Sequence, residues 1–267
     1  MKQQQEAEPA FETQIINAIR QEEAGTIQGA KLIQAGELVA FPTETVYGLG
    51  ADGLNGEAVA KIFVVKGRPQ DNPLIEHVYR KNDVKELWSR IPKQAPILMD
   101  TFWPGPLTLV APKSDRVQDE VTAGLDTVAV RMPQNKTARA LIKNAGTPIA
   151  APSANRPGRP SPTTAQHVWD DLNGRIPLII DGGPCKYGVE STVLSLVGEP
   201  IILRPGAITR EMLAAVIGEV RVADSILNPM KQGEVAASPG MKYQHYSPNA
   251  EVIVVLGTPE AAARKII

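Results

Sequence analysis

Cysteine is almost absent from this sequence: Cys185 stands alone among 267 residues. One thiol excludes an intrachain disulfide framework and a cysteine-built zinc site, and it fits a reducing compartment. Histidine is nearly as scarce, with only His77, His167 and His245. No Ser-His-Asp set can be argued from them, and no metal-ligand spacing is present. The formal net charge is −1, so no global basic field draws nucleic acid to the chain. No apolar run approaches the about 20 residues that a membrane helix needs. The start, Met1-Lys2-Gln3-Gln4-Gln5, lacks the apolar core of a signal peptide. The expectation is a soluble, cytoplasmic protein with no membrane partner. A Walker phosphate loop is missing too; the nearest glycine pattern, Gly48-Leu49-Gly50, lacks the remaining spacing.

What is present is a normal hydrophobic fraction of 43% and an unusual 23 prolines, many beside Gly, Ser or Asn. Such clusters mark rigid loops, where binding groups tend to sit. Residues 10–222 read as one α/β unit. Helical periodicity runs from Phe11 to Ala35, with Gly25 a candidate break and Gly36 a stop. Strands are expected at Glu37–Phe41, Leu74–Val78, Leu107–Ala111, Thr127–Met132, Pro148–Ala151, Leu178–Asp181, Ser191–Val197 and Ile201–Arg204. Helices are expected near 57–64, 82–88, 93–102, 135–145, 163–172 and 209–217. The link from Val197 to Ile201 is too short for a helical crossover, so those strands must be antiparallel and the sheet mixed. Residues 223–249 read as a linker. Residues 250–267 begin a second α/β unit with a buried-strand pattern and a helical one. About eighteen residues cannot close a core, so the expectation is that this unit is truncated or docks on the first.

Three clusters carry chemistry. In Lys66-Gly67-Arg68-Pro69-Gln70-Asp71-Asn72-Pro73, two cations at i and i+2 would share a face if the segment is extended, and Pro69 favours that geometry at Arg68. Arg is a planar fork and Lys a point charge, together a grip for polyphosphate; a solvated surface loop is the alternative. In Pro152-Ser153-Ala154-Asn155, compact polar groups follow a short strand, fit either for a ligand or for bonding their own turn. Ser191-Thr192 and Arg204-Pro205-Gly206 end neighbouring strands, which a hairpin would bring together. Arg131 ends an apolar strand whose alternation puts Thr127, Ala129 and Arg131 on one face. Its burial requires a partner, either a substrate carboxylate or an internal Glu. His77 ends the strand after the Lys–Arg loop. His167 and Cys185 read as inert. Many phosphate and carboxylate binders without a covalent nucleophile suit phosphoryl or nucleotidyl transfer.

These clusters also occur together and in order. Pro42-Thr43-Glu44-Thr45-Val46-Tyr47-Gly48-Leu49, Lys66-Gly67-Arg68-Pro69 with Asn72-Pro73-Leu74, Pro152-Ser153-Ala154-Asn155, Ser191-Thr192 and Arg204-Pro205-Gly206 resemble the threonylcarbamoyl-AMP synthase, or YrdC-like, family over about residues 25–220. The segment from Pro239 to Pro248 resembles the linker of its two-domain branch, in which a Rossmann-like domain follows.

The resemblance implies a twisted open mixed sheet flanked by helices, with a concave basic cleft. It also implies a reaction in which L-threonine, bicarbonate and ATP give threonylcarbamoyl-AMP and pyrophosphate. A separate transferase complex would then modify tRNA, with weak tRNA contact by this chain. Lys66, Arg68, Asn72, Thr127, Ser153, Asn155, Ser161 and Arg204 match ATP-side positions, Lys66 and Arg68 as the catalytic cations. Thr45, His77, Arg131, Ala151 and Ser191 match threonine-side positions. Tyr243 or Tyr246 would close over the nucleotide as a lid. Mg²⁺ is expected with the phosphates, and no protein-built metal site. Two departures stand out. Glu76 replaces an apolar residue and would either put a negative charge beside both subsites, lowering ATP affinity, or point outward harmlessly. Val64-Val65 replace a smaller or more polar pair. The alternatives are a carbamoyl-adenylating domain of similar fold, which normally brings cysteine-rich zinc modules, and an RNA-binding module, which usually interleaves aromatics with its cations.

Overall fold

The structure, a computed structural model, describes residues 11–227, 255 and 257–266. Strands β1 (Gln14–Asn17), β2 (Val39–Phe41), β3 (Gly48–Asp52), β4 (Ile75–His77), β5 (Leu107–Pro112), β6 (Thr127–Arg131), β7 (Ile149–Ala151), β8 (Leu178–Asp181), β9 (Thr192–Ser195), β10 (Ile201–Arg204) and β11 (Arg221–Val222) form one sheet, ordered β1-β8-β2-β3-β7-β4-β6-β5-β9-β10-β11. The helices are α1 (Ala18–Gln34), α2 (Gly56–Lys66), α3 (Val84–Leu87), α4 (Ala95–Phe102), α5 (Asp119–Thr122), α6 (Lys136–Ala145), α7 (Ala165–Leu172), α8 (Arg210–Ile217), α9 (Asp224–Leu227) and α10 (Pro259–Ile266). The twisted sheet is mixed, as expected, and β9 and β10 pair antiparallel across their short link.

Local chemistry explains the boundaries. Asn55 and Asn135 accept the amides of Ala58 and Ala138 at the starts of α2 and α6, satisfying donors that a helix leaves unpaired. Gly67 and Gly146 end the same helices with left-handed φ of 63° and 71°, where a side chain would be strained.

The amino-terminal expectation is corrected. Residues 14–17 are a strand, not part of a helix, and pair in parallel with β8. Ile15 and Ile19, which helical periodicity would place on one stripe with Ile16, are 43% and 68% exposed. Gly25 does not break α1. A Cβ there would lie 3.1 Å from Ile16 Cγ2, so the glycine lets the helix lie close to the strand. The departure from helical geometry falls at Gln21 instead. The short elements α5, β11 and α9 escaped periodicity, and α9 turns the first residues of the expected linker into a helix. Residues 228–249 of that linker, and the expected strand at 251–256 apart from residue 255, lie outside the described residues.

Alternation along the strands builds two cores. Ile179, Ala40 and Val130 face one layer with α2, α4 and α7, whereas Leu178, Ile180, Val39 and Phe41 face α1 and α6. On the second face a separate small cluster, including Ile75, Ala129 and Val193, lies further along the sheet. The functional cleft opens between these two patches. Gly48-Leu49-Gly50 lies in β3, and Gly50 is set by packing. A Cβ at Gly50 would sit 2.7 Å from Ile149 Cγ2 and 2.8 Å from Phe41 Cε1. Gly50→Ala is therefore expected to cost about 1–3 kcal/mol by overpacking. Urea unfolding should show a lower midpoint at unchanged slope; an unshifted midpoint would contradict this close approach.

Candidate active site

The loop 42–47 joins antiparallel β2 and β3 and forms one wall of the cleft. Thr43 organises it. Its Oγ1 donates to the Val46 carbonyl at 2.6 Å and accepts the amides of Thr45 and Val46 at 3.1 and 3.2 Å. Thr43 Oγ1 and Thr45 Oγ1 also share a hydrogen bond at 2.9 Å. Thr45 Oγ1 accepts from Arg131 Nη1 at 2.9 Å. Buried Tyr47 anchors the loop by donating its hydroxyl to the Gly183 carbonyl at 2.7 Å.

Arg131 closes β6 at the cleft floor. Its Nη2 donates to Glu44 Oε1 at 2.6 Å, and its Nε to the Gly105 carbonyl at 3.3 Å. The two side chains are 3% and 4% exposed. Glu44 Oε2 accepts the amides of Gln134 and Asn135, at 2.9 and 3.3 Å, just before α6. Burial pushes the Glu44 carboxyl up, but the Arg131 charge and these amides outweigh it and hold it below the usual carboxylate range. Of the two partners open to Arg131, the internal glutamate is present, and the guanidinium still lines the cleft.

His77 ends β4 against Phe41, edge to face at 5.9 Å. Its Nδ1 lies 3.1 and 3.2 Å from the carbonyls of Ile75 and Ile149. Two carbonyls require an N–H there, which leaves Nε2 as an acceptor. Burial, then the Arg131 charge, pushes His77 down to about 3, so the ring is neutral near pH 7.

Lys66 and Arg68 do not share a face. Lys66 is the last residue of α2 rather than part of an extended segment, and left-handed Gly67 turns the chain. Lys66 points inward and is 4% exposed. Its Nζ donates to the carbonyls of Ser153 and Asn155, both at 2.5 Å. Burial, then the Arg68 charge, pushes this amine well below its usual range. Lys66 thus holds the 153–155 loop from beneath, while Arg68 packs over the Phe63 ring and lines the cleft. Asn155 is a turn staple: its Nδ2 donates to the carbonyls of Arg156 and Arg159, and its Oδ1 accepts from Ser153 Oγ at 2.6 Å.

The opposite wall is the β9–β10 hairpin, whose ends meet as expected. Arg204 donates from Nε to the Ser191 carbonyl and from Nη2 to Ser191 Oγ, each at 3.1 Å. Fully buried Thr108 shares a hydrogen bond with Ser191 Oγ at 2.7 Å. Ser161 donates to Glu190 Oε1 at 2.5 Å, and among the described residues Glu190 is the one acidic side chain lining the cleft.

Thr45, Arg68, Asn72, His77, Arg131, Ala151, Ser153, Ser191 and Arg204 line a single open cleft with about 570 Å³ of space not filled by protein atoms. Lys66 and Asn155 lie behind its lining, and Ser161 reaches it through Glu190. Thr127 is half-buried at the far end of β6, opposite Pro112, and does not line it. Tyr243 and Tyr246 lie outside the described residues. Glu76 is not in the cleft. It alternates with Ile75 and His77, so its side chain leaves the opposite face of β4, where it is fully buried against Gly53. Val64, 80% exposed, lies outside the lining. Sequence reasoning passed over Glu44, Glu190 and Thr108 as individual site residues. The signal for Glu44 was indirect: a buried arginine needs a carboxylate, but spacing does not say which.

The arrangement combines a buried, preorganised guanidinium on the floor with hydroxyls and arginines on the walls, and offers no activated nucleophile. A small carboxylate and a phosphate chain can both be met there. The family model described as "Telomere recombination" matches residues 31–206, and the one described as "Threonylcarbamoyl-AMP synthase, C-terminal domain" matches residues 208–266. The Threonylcarbamoyl-AMP synthase of Bacillus subtilis is 53% identical over 235 residues, covering 87% of this chain and 67% of that protein. The one of Pyrococcus abyssi is 52% identical over 256 residues, covering 95% and 75%. A crystal structure of Pyrococcus abyssi Sua5 complexed with L-threonine superposes with a TM-score of 0.88 at 50% identity, covering 96% of this chain and 74% of that one.

Proposed function

The chain belongs to the threonylcarbamoyl-AMP synthase family, and we infer that it makes threonylcarbamoyl-AMP from L-threonine, bicarbonate and ATP. The observation that carries this reading is the pairing of two receptors in one cleft: Arg131, locked by Glu44 and Thr45, and the wall of Arg68, Ser153 and Arg204.

Threonine would place its carboxylate on the outward N–H groups of Arg131. The neutral His77 Nε2 accepts from its hydroxyl or amine beside the Ala151 backbone. Once bound, the ammonium gives up a proton to solvent, and the resulting amine adds to the carbon of bicarbonate, releasing water and giving the N-carboxylate. One oxygen of this carbamate attacks the α-phosphorus of ATP. The bond to the bridging oxygen breaks, and pyrophosphate leaves with the electron pair. Arg68 and Arg204 outnumber Glu190 along this wall, and such cations stabilise the charge gathering on the leaving group. Ser153, its loop held by Lys66, orients the phosphates, with Asn72 alongside. Thr127, Ser161, Ser191, Tyr243 and Tyr246 remain proposals from the resemblance.

Magnesium would arrive with the phosphates. Among the described residues no group of three or more His, Cys, Asp or Glu side chains could hold a metal ion alone. Glu190 is the hard oxygen donor that fits beside a phosphate-bound ion. When bound, the ion neutralises charge on the phosphate chain. The match of residues 208–266 supports residues 250–267 as the beginning of a second unit, joined by a 223–249 linker. The product, an activated carbamoyl, requires a transferase acting on tRNA. Among the described residues no helix is long and apolar enough to cross a membrane.

Pyrophosphate release from ATP tests the reading. Release should require both threonine and bicarbonate. Release indifferent to threonine would refute it.

A further inference from the structure

We propose that Glu44 sets the charge selectivity of the amino-acid end of the cleft, making it electroneutral so that it admits a zwitterion and disfavours a net anion. The inference rests on threonine binding at Arg131.

Arg131 and Glu44 are in contact at 2.6 Å and both nearly fully buried. A lone buried guanidinium would act as a general anion trap, because little solvent screens it. Glu44 cancels that charge. It does so without occupying the whole fork: Glu44 takes Nη2, Thr45 takes Nη1 and Gly105 takes Nε, each in a fixed direction. The guanidinium has five N–H groups, so two remain for a ligand carboxylate. The same glutamate accepts the two amides leading into α6, so it also offsets the positive end of that helix. Two other titratable groups stand at this end: His77 is neutral, with its proton committed on Nδ1, and burial pushes the Cys185 thiol up to about 12, so it too is uncharged.

The floor therefore offers directed hydrogen bonds to a carboxylate but no net positive charge. A ligand entering it must bring its own compensating cation, which an α-ammonium supplies. Arg68 and Arg204 line the phosphate wall, with Glu190 the lining acid among the described residues. Glu44 gives the amino-acid end a charge balance of its own. It is a positioning and specificity residue, acting through Arg131.

The test compares L-threonine with (R)-3-hydroxybutyrate, which keeps the carboxylate and hydroxyl and lacks the ammonium. Their affinities are measured by calorimetry for the unmodified chain, Glu44→Gln and Glu44→Asp. The ratio of affinities in Glu44→Gln should move toward the anion by about tenfold or more, whereas Glu44→Asp should keep the parental ratio even if both affinities fall. A merely structural role would weaken both ligands equally and leave the Glu44→Gln ratio unchanged, overturning the proposal. Should Glu44→Gln fail to fold, the unmodified chain is titrated with threonine in two buffers of different ionisation enthalpy. No proton uptake is expected, and uptake of a proton would overturn the proposal. Failure of threonine to bind the unmodified chain would instead refute the functional reading, leaving the role of Glu44 aside.

Discussion

Glu76→Gln should make the protein markedly more stable above neutral pH and change the shape of its pH profile. Glu76 is fully buried on the face of β4 away from the cleft, and neither carboxylate oxygen has a hydrogen-bond partner among the described residues. Burial, then the charge of Asp52, pushes it from the usual 4.5 up to about 8. Between these values the folded state holds a proton that the unfolded state has lost, so stability falls as pH rises. Each unit is worth about 1.4 kcal/mol, so the whole effect is several kcal/mol. His77 acts in the opposite sense. Its folded value is about 3 against the usual 6.5, so stability is lost as pH falls through that window. The two slopes oppose each other between 4.5 and 6.5. Their contribution should be flat there, declining on the alkaline side to about 8 and on the acid side to about 3. In Glu76→Gln the alkaline decline should vanish, leaving a rise from acid to a plateau above 6.5. Urea unfolding across this range checks it; a variant curve parallel to that of the parent would mean that Glu76 is not held protonated.

The second large effect concerns the phosphate wall, where Arg68→Ala and Lys66→Met should fail in different ways. Arg68 lines the cleft and packs over Phe63 at 5.4 Å. Its removal should lower turnover by about 100-fold or more, with the lost Phe63 contact worth about 0.5–1 kcal/mol of stability. Lys66 instead satisfies two loop carbonyls. Lys66→Met would leave them without that donor at a cost of about 1–3 kcal/mol, and would release the Ser153 loop. Activity and melting temperature should therefore fall together in Lys66→Met and separate in Arg68→Ala. Pyrophosphate release and thermal unfolding on both variants decide the point. Near-normal turnover in Arg68→Ala would mean that the polyphosphate does not lie along this wall.

The contrast between these cations shows where reading the chain succeeded. The strand alternation through Thr127–Arg131 was legible, and Val128 and Val130 do face the opposite core from Ala129. The hairpin ending at Arg204 was legible from its short link. The same two-residue period applied to Ile75-Glu76-His77 turns Glu76 away from the cleft, one of the two placements left open, but it is buried behind the sheet. The shared face of Lys66 and Arg68 assumed an extended chain, but α2 continues to Lys66 because Gly67 caps it there. At Gln14–Asn17 an isoleucine pattern matched a helix until pairing with β8, more than 160 residues away, made it a strand.

The sequence by itself determined the α/β class, most element boundaries, and the set of polar residues available for an ATP-dependent reaction. Those features depend on periodicity, caps and turns, which are energies between near neighbours. The tertiary structure alone decided which charges meet. Arg131 and Glu44 are 87 residues apart, and Lys66 and Asn155 are 89 apart. Their pairing follows from the sheet order, because burial makes each charge depend on whichever partner the fold brings within contact. That is why one of the two cations expected at the phosphates also anchors a loop, and why the glutamate between Thr43 and Thr45 pairs with the arginine of the cleft.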